Sequence, residues 1–345
     1  EATRSEYAEV REAYGRRAER KLTSITEARR NAVALNFEAL VQPNQPGLHV
    51  FADYSIAELR ARIDWTPFLR TWEMPGRWPT VLEDPVAGEE ARRIVDDANA
   101  LLDELEASGR LRAAGLCDLL PAHRDGDDIV VSDSEDAATE LGRIHCLRQQ
   151  VPRAKGQPNR SLADYVGPPG SSDFVGIFAV TAGLGLDTLV LEAEAAQDDY
   201  RAIMLRAVAD RLAEAFAEHL HERVRTELWG YATDEDLNNQ ALIEESYAGI
   251  RPAPGYPACP DHQGKTFIFE RLQAEERIGI TLTESLAMMP AASVSGYYFA
   301  HPEARYFGLG RIGRDQIKDY ARRIGSSVAE VEKWLGPSLG YTPDP

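Results

Sequence analysis

Between residues 251 and 260 the chain reads Arg-Pro-Ala-Pro-Gly-Tyr-Pro-Ala-Cys-Pro, four prolines in ten residues. Each proline removes a backbone donor and pushes the residue before it out of helical torsions, so this stretch is neither helix nor central strand. It lies inside a chain of 345 residues, between segments with regular apolar patterning. A long irregular segment in that setting is more often a functional loop than a linker. Arg251 is presented by this stiff, donor-poor backbone, which suits bidentate recognition of a carboxylate or phosphate. Gly255 allows torsions or a close backbone approach that a side chain prevents. The loop therefore reads as a small-anion or amino-acid site. Downstream, Gly296-Tyr-Tyr-Phe299, His301-Pro302 and Tyr306-Phe307 form an aromatic cluster that could be core or pocket wall, with core packing the default.

The flanking sequence is mostly helical in pattern. Val41 to Tyr54 contains Pro43, Pro46 and Gly47 and is predicted as loop. Ser55-Ile-Ala-Glu58 has capping-box spacing and leads into Leu59, Ile63 and Trp65. A helix is predicted from about Gly88 to Ser108, with apolar residues at helical spacing and Gly109 as its stop. Ile129-Val130-Val131 follows a turn at Asp125-Gly-Asp-Asp128 and reads as a strand. Phe174 to Thr181 is apolar on both faces and reads as a central strand. The longest predicted helix runs from about Ala193 to Trp229, with Met204, Val208, Leu212, Phe216, Leu220, Val224 and Leu228 recurring every four residues. That step drifts around a 3.6-residue helix, so several of its faces should be covered. The tail gives a helix from Asp315 to Ile324, a break at Gly325, and a second helix capped by Ser327 and running to Trp334 and Leu335. Long helices with scattered strands and no repeated β–α unit indicate an α+β fold.

Composition narrows the partners. With 38 Lys+Arg against 56 Asp+Glu the formal charge is -18, which opposes binding to nucleic acid. No run of about 18 apolar residues is available for a membrane helix, and no signal-peptide pattern opens the chain. Cys117, Cys146 and Cys259 are odd in number and far apart, which fits a reduced, cytoplasmic setting. The chain opens at Glu1 rather than Met, as an excised piece of a longer protein would. Residues 1–35 are expected to be a charged connector, with Tyr7, Val10 and Tyr14 as a thin apolar seam, and residues 36–345 one large domain.

Three other patterns carry less. Gly183-Leu-Gly185 follows a strand, but Thr188 stands where a dinucleotide loop needs its third glycine, so a turn is expected. Cys259, Asp261 and His262 lie close in sequence, yet no Cys-x-x-Cys or His-Glu-x-x-His pattern accompanies them, and no metal site is expected. His219 and His221 are two apart, point to different helix faces, and are expected at the surface. The paired tail helices imitate a DNA-binding unit, against which the acidic balance argues.

Several longer motifs carry a resemblance. Asp64-Trp-Thr-Pro-Phe68, Thr71-Trp-Glu-Met-Pro-Gly-Arg-Trp-Pro79, Ala213 to Arg223, Arg251 to His262, Pro290-Ala-Ala-Ser-Val-Ser-Gly296, Arg314 to Arg323 and Trp334 to Tyr341 occur in order along the chain. Together they resemble the activation domain of cobalamin-dependent methionine synthase, from about Ile56 to Tyr341. The resemblance implies a single C-shaped α+β domain around a twisted antiparallel sheet with flanking long helices. It also implies a module that binds S-adenosylmethionine and supports reductive methylation of cob(II)alamin to methylcobalamin. In that setting the cobalamin is bound by a neighbouring domain of the same enzyme, and flavodoxin or a similar reductase supplies the electron.

Carried over residue by residue, the resemblance implies that Arg251 meets the ligand carboxylate or its bridging water, and that the backbone through Ala253, Gly255 and Tyr256 contacts the ligand. Asp64 and Glu214 would take the ammonium, although Glu214 also suits a solvated helix face. Tyr306 and Phe307 would offer aromatic faces to the sulfonium or adenine; relatives often carry Tyr at the second position, so a hydroxyl is missing there. No residue is expected to act as nucleophile or general base, because the cofactor carries the hard chemistry. No Asp-x-His-x-x-Gly cobalamin motif and no Cys-rich zinc site occurs, so the chain alone is not expected to make methionine. Two other readings remain at this point: a stand-alone reactivation or docking protein for another corrinoid methyltransferase, and a binding module that has lost methyl donation.

Overall fold

A computed structural model describes residues 22–134 and 139–344. The predicted seam at Tyr7, Val10 and Tyr14 lies outside the described residues. In chain order the elements are α1 (Ile25–Arg30), β1 (Gly47–Tyr54), α2 (Ile56–Arg60), α3 (Trp65–Thr71), α4 (Gly88–Ser108), β2 (Arg112–Asp125), β3 (Asp128–Ser132), β4 (Glu140–His145) and β5 (Asp173–Leu184). They continue as α5 (Leu186–Ala195), α6 (Asp199–Arg223), α7 (Asn239–Ile243), α8 (Gly264–Leu272), α9 (Ala274–Ile278), β6 (Thr281–Leu282), β7 (Met288–Met289), β8 (Ser293–Tyr298), α10 (Arg314–Ile324) and α11 (Val328–Trp334). None of the described helices is long and apolar enough to cross a membrane.

Local chemistry sets most of the helix ends. The hydroxyls of Ser55 and Ser327 accept from the amides of Glu58 and Glu330, satisfying donors that a first turn leaves free. Asp64 caps α3 through the Thr66 amide. Gly109 and Gly325 stop α4 and α10 in the left-handed region that glycine adopts at no steric cost.

The sheet is antiparallel throughout, in the order β4-β3-β2-β5-β8, with β1 also paired to β2. β2 is its spine. Its first half runs beside β1 (Gly47 opposite Leu119) and its last residues beside β3 (Ala122 opposite Val131), while β5 lines its other edge. Because successive strand residues point to opposite faces, β2 and β5 feed two cores. Cys117, Leu119, Phe174, Phe178 and Val180 pack with α4, α5 and α6. Leu116, Leu120, Val175, Ile177 and Ala179 pack on the other face with α8 and α9. β5 is thus buried on both faces, as its unbroken apolar run predicts. Gly115 lets α6 close onto the sheet: a Cβ there would stand 2.8 Å from Phe216 Cζ. A third cluster, around Ile317, Tyr320, Val331 and Leu335, joins α10 to α11.

The short helix α1 is tied to this last unit. The Ile25 amide donates to Asp315 at 2.7 Å, and Arg29 pairs with Asp127 at 2.8 Å and Asp319 at 2.5 Å.

Three expectations change. The predicted loop from Val41 to Tyr54 is loop only to Pro46, because Gly47–Tyr54 finds the free edge of β2. The predicted helix from Ala193 to Trp229 is two helices. Gln197 takes a left-handed φ of 59°, and Asp198 recaps the chain by accepting from the Arg201 amide. The second of them, α6, ends in a π-helical turn, Val224–Leu228, where the Trp229 amide reaches back to Val224 at 2.9 Å. Lastly, His221 is not at the surface. It is fully buried, its ring stacked on Tyr298 from β8, while His219 is half-buried.

Candidate functional site

The proline-rich loop starts along the free edge of β8, where the Tyr297 amide donates to the Pro252 carbonyl at 2.9 Å, and further on the Gly255 amide donates to the Cys259 carbonyl at 2.7 Å. The second bond closes a tight turn in which Gly255 has φ 97°. It also brings the loop against His262, where a Cβ on residue 255 would lie 2.3 Å from Cε1. The proline content thus gives a rigid ledge with Arg251 at one end and Tyr256 at the other.

Under this ledge lies a cavity of about 540 Å³ lined by Glu214, Glu245, Arg251, Ala253, Tyr256, Tyr306 and Phe307 among others. Beside the loop, α6 gives the half-buried Glu214, the turn after α7 gives Glu245, and the segment after β8 gives Tyr306 and Phe307. A smaller cavity of about 220 Å³ adjoins it and shares Glu214, Glu245 and Arg251. Asp64 lines that second space, together with Arg62, Arg211 and Glu218. A third groove, about 590 Å³, shares Tyr256, Pro257 and Gly308, and Gly255 and His262 line it.

The eight predicted site residues are therefore placed as follows. Glu214, Arg251, Ala253, Tyr256, Tyr306 and Phe307 share one cavity. Asp64 stands in the adjoining space, spending one oxygen on the Thr66 amide at 2.9 Å. Gly255 faces the far side of the Tyr256 ledge and shapes the loop.

Opposite charges stand side by side in the cavity. Arg251 Nη2 pairs with Glu218 Oε2 at 2.6 Å. Burial works against its charge, but Glu218 together with the Tyr247 and Tyr306 hydroxyls offsets this and keeps the guanidinium protonated. Burial pushes the Glu245 carboxyl up, an effect that Arg251 partly cancels. The Glu214 carboxylate, together with burial, raises the Tyr256 hydroxyl, which places that charge close to the ring's polar tip. Burial likewise raises the Tyr306 hydroxyl, which accepts from the Arg251 amide at 2.9 Å and lies 3.1 Å from the Tyr247 hydroxyl.

Arg251, the carboxylates of Glu214 and Glu245 and an aromatic wall in the main cavity suit a ligand that carries a carboxylate, positive nitrogen or sulfur, and a flat ring. The volume is in the range of small-molecule sites. Among the described residues, no group of three or more His, Cys, Asp or Glu is arranged to hold a metal.

Sequence reasoning missed Glu245, Glu218 and Tyr247. Glu218 had a signal, since it follows Glu214 by four residues and so shares its helix face. Glu245 had none, because a left-handed residue (φ 55°) after a one-turn helix brings it to the cavity.

An antiparallel α+β domain with a charged cavity against an aromatic wall has the make-up of a small-ligand-binding module. The chain belongs to the family of vitamin B12 dependent methionine synthase activation domains, which it matches over residues 55–325. It is also similar to the crystal structure of the MetH reactivation domain bound to AdoHcy. That protein is 49% identical, and the match covers 93% of this chain and 99% of that one with a TM-score of 0.90.

Proposed function

We propose that this chain binds S-adenosylmethionine in the cavity under the proline-rich loop and presents its methyl group for reactivation of cobalamin. Arg251 takes the ligand carboxylate, Asp64, Glu214 and Glu245 accept from the ammonium, and Tyr306 and Phe307 flank the sulfonium or adenine. The observation that carries the reading is the grouping of Glu214, Glu245 and Arg251 at the junction of two cavities, one reaching Asp64 and the other Tyr306. The related reactivation domain bound to AdoHcy supports the same ligand class.

When held by a neighbouring domain of the same enzyme, cobalamin would supply the nucleophilic metal for this methyl group, and flavodoxin or a similar reductase would supply one electron. The residues of this chain bind the donor, orient its methyl and keep water from the sulfonium; they provide no acid or base. Such positioning is itself a large catalytic contribution, because it removes the entropy of bringing the reactants together. Residues 1–35 act as the connector to the cobalamin-binding domain, and residues 36–345 as the module. The protein works in the cytoplasm, a reading supported by free Cys117, Cys146 and Cys259. The isolated chain does not make methionine.

Titration calorimetry of the chain with S-adenosylmethionine tests the reading. Binding that Arg251→Ala weakens at least about tenfold is expected for loss of a charge-assisted pair; absence of binding, or an unchanged affinity in Arg251→Ala, overturns it.

A further inference from the structure

Arg251 is one member of a closed ring of contacts. Its Nη2 lies 2.6 Å from Glu218 Oε2, and Glu218 Oε1 lies 3.7 Å from Arg225 Nη1. Arg225, fully buried in the π-helical turn, is held by Glu235 through Nη2 at 2.6 Å and Nε at 2.8 Å. Its guanidinium sits 4.3 Å from the Tyr247 ring centroid. The Tyr247 hydroxyl meets the Tyr306 hydroxyl at 3.1 Å, and Tyr306 accepts from the backbone of Arg251 at 2.9 Å. Charges alternate along the buried side: Arg251, Glu218, Arg225, Glu235.

The position of Glu218 in this ring has a consequence for the cavity. Arg251 lines both spaces that contain Glu214 and Glu245. Without Glu218 paired to it, the guanidinium would be drawn to those two, removing the anion anchor and the ammonium acceptors together. With Glu218 in place, Nη2 is engaged by a carboxylate that itself lines the smaller cavity, and the Nη1 donors remain for a ligand. Glu218 is itself buried and rigidly placed on α6, so it can hold this arrangement at low entropic cost.

We propose that Glu218 is a positioning residue, which keeps Arg251 apart from Glu214 and Glu245 and thereby sets selectivity for a ligand carrying both an α-carboxylate and an α-ammonium. The proposal rests on the reading of Arg251 as the carboxylate anchor.

The test compares S-adenosylmethionine with its decarboxylated analogue by calorimetry on the full chain, in the native protein and in Glu218→Gln, Glu218→Asp, Arg251→Ala and the Glu218→Gln/Arg251→Ala double variant. Melting temperatures are recorded for each. Glu218→Gln weakens S-adenosylmethionine about tenfold and the analogue less than about twofold, and the double variant loses no more selectivity than Arg251→Ala, because the two residues act on one contact. Glu218→Asp keeps a charge between the two arginines, so it holds the fold if the neutral variant does not, and it gives an intermediate selectivity. If Arg251→Ala abolishes the selectivity and neither Glu218 variant alters it, the Glu218 proposal is overturned and the anchor stands. Equal weakening of both ligands in both Glu218 variants also overturns it, as the mark of a scaffold role. If Arg251→Ala leaves the selectivity intact, the anchor reading fails and the Glu218 proposal with it.

Discussion

The backbone amide of Arg251 donates to the hydroxyl of Tyr306 at 2.9 Å, so the residue that flanks the cavity wall also fixes where the proline-rich loop begins. The same hydroxyl meets Tyr247 at 3.1 Å. Tyr306→Phe removes both contacts while keeping the ring. The expected result is an affinity for S-adenosylmethionine lower by about three- to tenfold, as loss of a buried hydrogen bond predicts, with a melting temperature close to native. An unchanged dissociation constant would show that the hydroxyl does not position the loop.

Gly255 combines a φ of 97° with a His262 ring 2.3 Å from where its Cβ would stand. Gly255→Ala is expected to cost roughly 1–3 kcal/mol, the range for a strained left-handed residue, and to weaken ligand binding by displacing Tyr256. Adding His262→Ala relieves the contact but not the torsion, so the double variant recovers only part of the loss. Full recovery in urea denaturation would mean that crowding alone explains the glycine.

His221 is stacked on Tyr298, edge-on to Tyr247, and within 3.3 Å of the Tyr231 hydroxyl. Burial, with the Arg225 and Arg251 cations nearby, holds its pKa well below the ordinary histidine value. Below about pH 6.5 the unfolded chain therefore takes up a proton that the folded chain refuses. The associated stability is complete above that pH and falls as pH drops through it, by about 1.4 kcal/mol per unit for one proton. Denaturation midpoints measured between pH 7.5 and 5.5 should decline for the native chain and decline less steeply for His221→Phe. Parallel slopes would place the acid sensitivity elsewhere.

Between the sheet and α6, a methyl on Gly115 would stand 2.8 Å from Phe216 Cζ and 3.0 Å from Val180 Cγ1. Overpacking of this kind typically costs about 1–3 kcal/mol. Gly115→Ala should therefore lower the unfolding midpoint, and combining it with Phe216→Leu should cost less than the two single changes added. Strict additivity would show that the two sites do not share the space.

The parts of the fold legible in the sequence were those set by local chemistry. Ser55, Gly109, Gly325 and Ser327 mark helix ends because a cap needs only its own turn, and Phe174 to Thr181 reads as a strand because both its faces are apolar. β2 was not legible. Its Ala113, Ala114, Gly115, Asp118 and Pro121 have weak strand preference, and pairing along both edges imposes the extended form. The break at Gln197 and the burial of His221 likewise depend on partners far away in sequence. In the cleft, Arg251 and Tyr256 announced themselves through the proline-rich loop. Glu218 is marked only by its four-residue step from Glu214, and Glu245 and Tyr247 give little sign of their place, since each acquires it only when the turn after α7 meets α6 and that loop.

The walls of the two adjoining cavities are drawn from Arg62 and Asp64 through Glu214 and Arg251 to Gly308, segments far apart in sequence. A ligand held there joins distant parts of one chain, so it acts as a removable crosslink whose strength is set by its concentration. At about a hundredfold above its dissociation constant it would add roughly 2.7 kcal/mol to the whole domain. Occupancy and folding would then report on each other, and the abundance of such a ligand would help set how long the module survives unfolding and proteolysis.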